Sequence, residues 1–276
     1  VTKFQRVGED AQCTVFRVWV EVIDGVEAYG IYLVPKNLKA RAPLLIAQHG
    51  GGGNPEAICD LDTRVNYRSF GREAVKRGYI VWAPALAMRS SYSGDEPIPG
   101  ASRELLDQKL RLAGTSIIGL ELHKIIASTR ALLQTRPEID PGRVGMTGLS
   151  WGGFFTMYAT ALCPLIKVAA PSGYFWDSEQ LLNRATADEA RAAEREVFGG
   201  LGHFQAVALI CPRPCLVQIG EQDGALNNLA GARAEAERAA RYYRRLGVAD
   251  RFQFNAHPGG HEFDTATILA FFDKHL

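Results

Sequence analysis

Gly148-Leu149-Ser150-Trp151-Gly152 places a serine between two glycines, and that spacing suits a nucleophile held at the tip of a sharp turn. Neighbouring backbones approach closely at such a turn, so the flanking positions tolerate little beyond hydrogen. The pattern alone is weak: with 28 glycines in 276 residues, composition gives it a chance of about 0.1. Its setting is more specific. An apolar run from Val144 precedes it, and Phe154, Phe155, Met157, Tyr158 and Ala161 follow at helix-compatible spacing, which makes the serine a strand-to-helix junction.

A serine hydroxyl is a weak nucleophile at neutral pH and needs an imidazole to take its proton and a carboxylate to orient that imidazole. Asp223, in Gly220-Glu-Gln-Asp-Gly, follows the apolar run Cys215 to Ile219, and His261, in His257-Pro-Gly-Gly-His-Glu-Phe, follows the next expected strand. Both therefore fall at strand ends, where open α/β sheets place their ligands. Glu221 competes with Asp223, which could also be a turn or cap residue, and Asp177 is a reserve acid. His261 is preferred to His257 because Gly259 and Gly260 let its loop approach the nucleophile, whereas His257 abuts a proline nearer the strand. His123 and His275 read as structural or solvated. His203, expected just before a strand, reads as a hydrogen-bonded loop residue or a pocket lining.

Acyl transfer also develops an oxyanion, which requires backbone N–H donors aimed at it in advance. The N–H of Trp151 is one candidate. The other lies in His49-Gly50-Gly51-Gly52-Gly53, with Gly51 or Gly52 favoured. A phosphate loop is the weaker reading, since no Gly-Lys-Ser/Thr ending or Gly-x-Gly-x-x-Gly helix opening is present.

These residues need a scaffold that brings strand ends together. Residues Thr14 to Asp24 and Glu27 to Pro35 read as an antiparallel hairpin turning at Asp24-Gly25. Strands are expected at Leu44–Gln48, Tyr79–Pro84, Val144–Thr147, Ile166–Ala170, Cys215–Ile219 and Arg251–Asn255. Helices are expected at Arg68–Arg77, Ile118–Thr135, after Ser150, at Asn228–Leu246 and at Phe263–His275. The alternation implies an α/β fold: a mostly parallel central sheet with helices on both faces. One domain over 1–276 is expected, with insertions at 88–119 and 174–204, the latter carrying a helix at Ala185–Val197. Each insertion is either a lid or pocket wall, or a surface excursion.

Composition narrows the partners. The chain is 47% hydrophobic and 22% charged with a formal net charge of +1, and it carries no basic run interleaved with aromatics, so neither nucleic acid nor an anionic membrane is expected. No stretch approaches the roughly 20 apolar residues of a membrane span. A soluble protein is expected, either cytoplasmic or an exported chain without its leader, since it begins at Val1. The five cysteines fit neither a disulfide framework nor a zinc site, and neither a metal nor a cofactor is expected. Cys215 is expected to pack at the start of a strand.

His49-Gly-Gly-Gly-Gly, Gly148-Leu-Ser-Trp-Gly-Gly, Cys211-Pro-Arg-Pro before a strand, Gly220-Glu-Gln-Asp223 and Gly260-His261-Glu-Phe together resemble the α/β-hydrolase superfamily, over about Leu44 to the C-terminus. Ser150, Asp223 and His261 occur in the chain order of that superfamily. Within it the chain is similar to the dienelactone-hydrolase-like and acetyl xylan esterase-like branch. The resemblance implies a serine carboxylester hydrolase acting through an acyl-enzyme, on small acyl esters such as acetyl groups on carbohydrates. Two departures stand out. Dienelactone hydrolases use a cysteine where this chain has Ser150, and many relatives carry Asp-x-Arg-Gly-x-Gly-x-Ser where this chain reads Ala83 to Tyr92. His49, Arg89, Tyr92 and Trp176 are the expected substrate pocket, with a surface ion pair and a packed ring as the other readings of Arg89 and Tyr92. Trp176, Phe175 and Trp151 form either an aromatic wall for sugar faces or buried packing. The rival functions are a peptidase similar to prolyl oligopeptidases and a catalytically silent binding protein on the same fold.

Overall fold

The computed structural model describes residues 1–38, 40–62, 66–86, 100–177, 201–224 and 229–276. Its nine strands form one sheet: β1 (Lys3–Glu9), β2 (Cys13–Ile23), β3 (Val26–Pro35), β4 (Ala42–Gln48), β5 (Ile80–Pro84), β6 (Ile139–Leu149), β7 (Val168–Ser172), β8 (Cys215–Gly220) and β9 (Phe252–His257). The strand order is β1-β2-β3-β5-β4-β6-β7-β8-β9. From β5 to β9 every neighbouring pair is parallel, while β1, β2 and β3 are antiparallel and β3 joins the rest antiparallel to β5.

Successive side chains of a strand point to opposite faces, and the apolar runs use this to fill two cores. Leu44, Ile46, Trp82, Met146 and Val217 face one cluster, whereas Leu45, Ala47, Val81, Ala83 and Leu216 face the other. The first core is covered by α4 (Ile117–Thr135), α5 (Trp151–Leu162), α6 (His203–Ile210) and α7 (Leu229–Arg245). The second is covered by α1 (Pro55–Ile58), α2 (Phe70–Lys76) and α8 (Thr265–His275). A short 3-10 turn spans Ala249–Arg251, and α3 (Gly100–Leu112) packs beside α4. Parallel strands covered on both faces read as continuous apolar runs, and β5, β7 and β8 are buried along their whole length.

Two elements depart from the sequence-based expectations. β1 was not expected: its seven residues are mostly exposed and lack alternation, so it exists by pairing with β2, with Phe4 packed on Phe16 at 4.6 Å between ring centroids. His203 does not precede a strand; it opens α6, and buried His203, Ala206, Val207 and Ile210 recur at helical spacing. Short apolar runs are ambiguous between helix and strand until such spacing can be checked against a packing partner. The region 88–119 is helical in its later part, through α3 and the start of α4. The expected helix 185–197 and residues Arg89 and Tyr92 lie outside the described residues.

A charged pair lies against the first core. On α4, Lys124 Nζ donates to Glu121 Oε2 at 2.8 Å and to the carbonyl of Ala85 at 3.1 Å, with Glu121 fully buried. Removing one member of a buried pair takes from the other its ion-pair partner where water cannot replace it. Lys124→Met should therefore lower unfolding free energy by about 3–5 kcal/mol in urea titrations, and Glu121→Leu added to it should recover part of the loss.

Candidate active site

The turn at Ser150 is built by backbone meeting backbone. Ser150 takes φ 60° and ψ −125°, a conformation that costs a non-glycine residue on the order of 1–3 kcal/mol. Its N–H donates to the Ser172 carbonyl at 2.9 Å, and its own carbonyl accepts the first bond of α5 from Phe154 at 3.1 Å. A Cβ on Gly148 would lie 2.3 Å from the Gly152 carbonyl oxygen, and one on Gly152 would lie 2.1 Å from that of Gln48. Both glycines of the motif are thus required by the crossing of β6, α5 and the end of β4. The Ser150 side chain caps nothing in α5, which leaves the hydroxyl available.

Asp223 and His261 meet although 38 residues separate them: His261 Nδ1 lies 2.7 Å from Asp223 Oδ2. The Asp223 side chain is 1% exposed and that of His261 28%. A carboxylate can only accept, so Nδ1 carries the hydrogen of this bond, and the neutral imidazole then has its lone pair on Nε2. The two loops interlock through backbone bonds, Glu221 N–H to the His257 carbonyl at 2.8 Å and Gln222 N–H to that of Gly259 at 3.0 Å. Gly220 is required here, since its Cβ would lie 2.1 Å from the Gly260 carbonyl oxygen. His261 lies against Gly173, where a Cβ would meet its Cε1 at 3.2 Å and Leu149 Cδ1 at 2.9 Å. Gly173 directly follows Ser172, the acceptor for Ser150 N–H, so the imidazole is packed beside the turn that carries the serine.

The competing residues are placed elsewhere. Glu221 is exposed and faces Arg233 at 3.7 Å. Asp177 is half-buried, while the contact with His261 is made by Asp223. His257 folds back so that its Nδ1 accepts the Gly259 N–H at 3.2 Å. His123 reaches the Val22 carbonyl from an exposed position, and His275 packs on Phe271.

The glycine loop after β4 divides its donors. Gly50 N–H bonds the Tyr67 hydroxyl at 2.9 Å and Gly53 N–H the Gly50 carbonyl at 3.1 Å. Those of Gly51 and Gly52 have no such bond among the described residues. Gly50 lies against the serine, its Cβ position being 3.0 Å from Ser150 Cβ. His49 is fully buried, and its Nε2 accepts the Leu86 N–H at 2.9 Å, which ties the glycine loop to the exit of β5. Trp151, first residue of α5, presents its N–H in the turn where a helix leaves donors unused, and its ring packs on Phe154 and Tyr174. Tyr174 continues to Trp176, whose backbone N–H donates to His203 Nδ1 at 2.8 Å. Trp151, Phe175 and Trp176 are 8%, 1% and 3% exposed, so all three rings are buried in this structure.

Tyr67 also supports the histidine loop. Its ring packs on Phe263 at 6.0 Å, and the carbonyl of Asn66 accepts the Phe263 N–H at 3.0 Å. The segment 66–69 had no motif to mark it in the sequence. Burial raises the thiols of Cys13, Cys59, Cys211 and Cys215 above their ordinary values, so these groups are poor nucleophiles. Cys215 is buried at the start of β8. No group of three or more His, Cys, Asp or Glu suited to a metal occurs among the described residues, and no described helix is long and apolar enough to cross a membrane.

Comparison with known proteins agrees with this architecture. The model of the dienelactone hydrolase family matches residues 57–203. The chain is 28% identical over 254 residues to the candidate hydrolase YtaP of Bacillus subtilis (strain 168), covering 89% of this chain and 82% of that one. A candidate acetyl xylan esterase from Bacteroides fragilis NCTC 9343 superposes with a TM-score of 0.78 at 15% identity, over 99% of this chain and 81% of that one. A glucuronoyl esterase from Caldicellulosiruptor kristjansonii superposes with a TM-score of 0.63 at 20% identity, over 99% and 78%. At these identities the solved structures establish the fold, and the family match establishes kinship: the chain belongs to the dienelactone hydrolase family and is a hydrolase of the α/β-hydrolase fold.

Proposed function

We propose that the protein hydrolyses carboxylic esters through an acyl-enzyme on Ser150, with His261 as general base and acid and Asp223 as the orienting carboxylate. The observation that carries this reading is the 2.7 Å contact between His261 Nδ1 and buried Asp223, beside a strained serine whose hydroxyl caps nothing. Ser150 Oγ attacks the ester carbonyl while His261 Nε2 takes its proton. The oxyanion is held by the N–H of Trp151 and by that of Gly51 or Gly52, preorganised donors of a kind worth about 10²–10³ in rate each. Collapse expels the alcohol with the proton returned by His261, and a water activated by the same nitrogen releases the acid. No step draws on a cofactor.

For the substrate, the reading favours small acyl esters of carbohydrates. The solved neighbours are named as acetyl xylan and glucuronoyl esterases, which recommends esters of plant-wall sugars for the first assays. His49 serves by fixing the glycine loop to Leu86, and Trp176 by packing on Tyr174, which in turn packs on Trp151. Arg89 and Tyr92 remain proposed contacts to substrate.

Ser150→Ala should reduce hydrolysis of p-nitrophenyl acetate to a residual rate with an unchanged thermal transition, and full activity in that variant would refute the nucleophile. Asp223→Asn should lower kcat by about 10⁴, since the amide can turn its NH2 towards Nδ1 and favour the wrong imidazole tautomer, with little change in KM. A kcat within tenfold of the parent would reject Asp223 as the acid. Acetylated xylan and a methyl glucuronate ester, assayed side by side, separate the two sugar-ester classes: release of acetate with an intact methyl ester is the expected outcome.

A further inference from the structure

One buried amide touches all three chain segments that bring the proposed triad together. Gln218, in β8, is fully buried. Its Oε1 accepts from Ser172 Oγ at 2.9 Å and from the Asp264 N–H at 3.0 Å, and its Nε2 donates to the Asp264 carbonyl at 3.2 Å. A backbone N–H can only donate, so the atom facing Asp264 N is the oxygen and the orientation of the amide is determined. Its backbone carbonyl also accepts the Gly173 N–H at 2.9 Å.

Each partner leads to one member of the triad. Ser172 holds the Ser150 N–H. Asp264 lies three residues beyond His261 and caps α8 through Thr267 N–H at 3.2 Å. Gln218 itself stands on the strand that runs out to Asp223. Between the end of β9 and the start of α8 the chain has left the sheet, and there the Gln218 amide bonds both the N–H and the carbonyl of Asp264, as a neighbouring strand would. A leucine could fill the same space, yet it would leave Ser172 Oγ and both Asp264 backbone groups without these bonds.

We infer that Gln218 is a positioning residue for ester hydrolysis, setting the distance between Ser150 and His261 by tying Ser172 to Asp264. The inference rests on the triad proposed above. Misplacement of reacting groups by about 1 Å can cost about 10²-fold in rate, so the effect falls on kcat with substrate binding preserved.

The test measures kcat per active site, counted by fluorophosphonate labelling of Ser150, so that unfolded molecules do not contribute. Gln218→Met should lower kcat per labelled site by about 10- to 100-fold, with KM within about twofold. Gln218→Glu keeps the shape and supplies a second variant should the first fold poorly. Its protonated carboxyl can make all three bonds, whereas the ionised form loses the donor to the Asp264 carbonyl. Its kcat should fall as pH rises through titration of the new carboxyl, over a range where the parent is level. A Gln218→Met kcat per labelled site within twofold of the parent overturns the inference while leaving the triad intact, as does a Gln218→Glu pH profile that coincides with the parent's. Absence of labelling at Ser150 in the parent overturns the triad and this inference with it.

Discussion

Ser150 at φ 60° is held by backbone on every side: the Ser172 carbonyl takes its N–H, Phe154 bonds its carbonyl, and Gly50 lies against its Cβ. Such contacts are possible only where no side chain intervenes, and Gly148, Gly152 and Gly153 each occupy a position where a Cβ would fall within 2.5 Å of a carbonyl oxygen. The strain at the serine is therefore balanced by packing that no other residue type would permit. The same crowding fixes where β4, β6 and β7 end relative to one another, so the remaining loops assemble around it.

The second level of order is the coupling of loops that are far apart in the chain. The loops after β8 and β9 share two backbone bonds and the close approach of Gly220 to Gly260, which brings Asp223 and His261 together before any side chain is considered. Tyr67 joins the glycine loop to the histidine loop, its hydroxyl accepting from Gly50 and its ring packing on Phe263. Arg68 extends this support by an ion pair with Glu262. His49 and Lys124 hold the exit of β5 through Leu86 N–H and the Ala85 carbonyl. Most of the polar side chains buried near the site thus bind backbone of another segment, which restricts its motion more than a nonpolar contact of equal area.

Legibility in the sequence followed how local each interaction was. The central strands were readable because burial on both faces leaves an unbroken apolar run, and α4 and α7 because their apolar positions recur at helical spacing over many residues. β1 was not, since Lys3 to Glu9 shows no alternation and is held by β2. α6 was misread because eight residues are too few for apolar periodicity to separate helix from strand. Within the site, the motif around Ser150 and the order of Asp223 and His261 were visible, while Tyr67 and Gln218 carried no signal: a tyrosine and a glutamine have no spacing rule that marks them.

By itself the sequence determined the turn at Ser150, because the glycines that let the backbones cross there lie within six consecutive residues, 148–153, and it determined that an acid and a histidine follow successive strands. The tertiary structure decided which acid meets the imidazole. Glu221 and Asp223 are two residues apart, and the register of β8 against β9, with Gly220 pressed on Gly260, turns one outward and the other under His261. It also decided that Gln218 joins residues 46 positions away on either side. A hydrogen bond between such distant residues depends on how strands stack and where loops cross, and those relations exist only once the chain has folded.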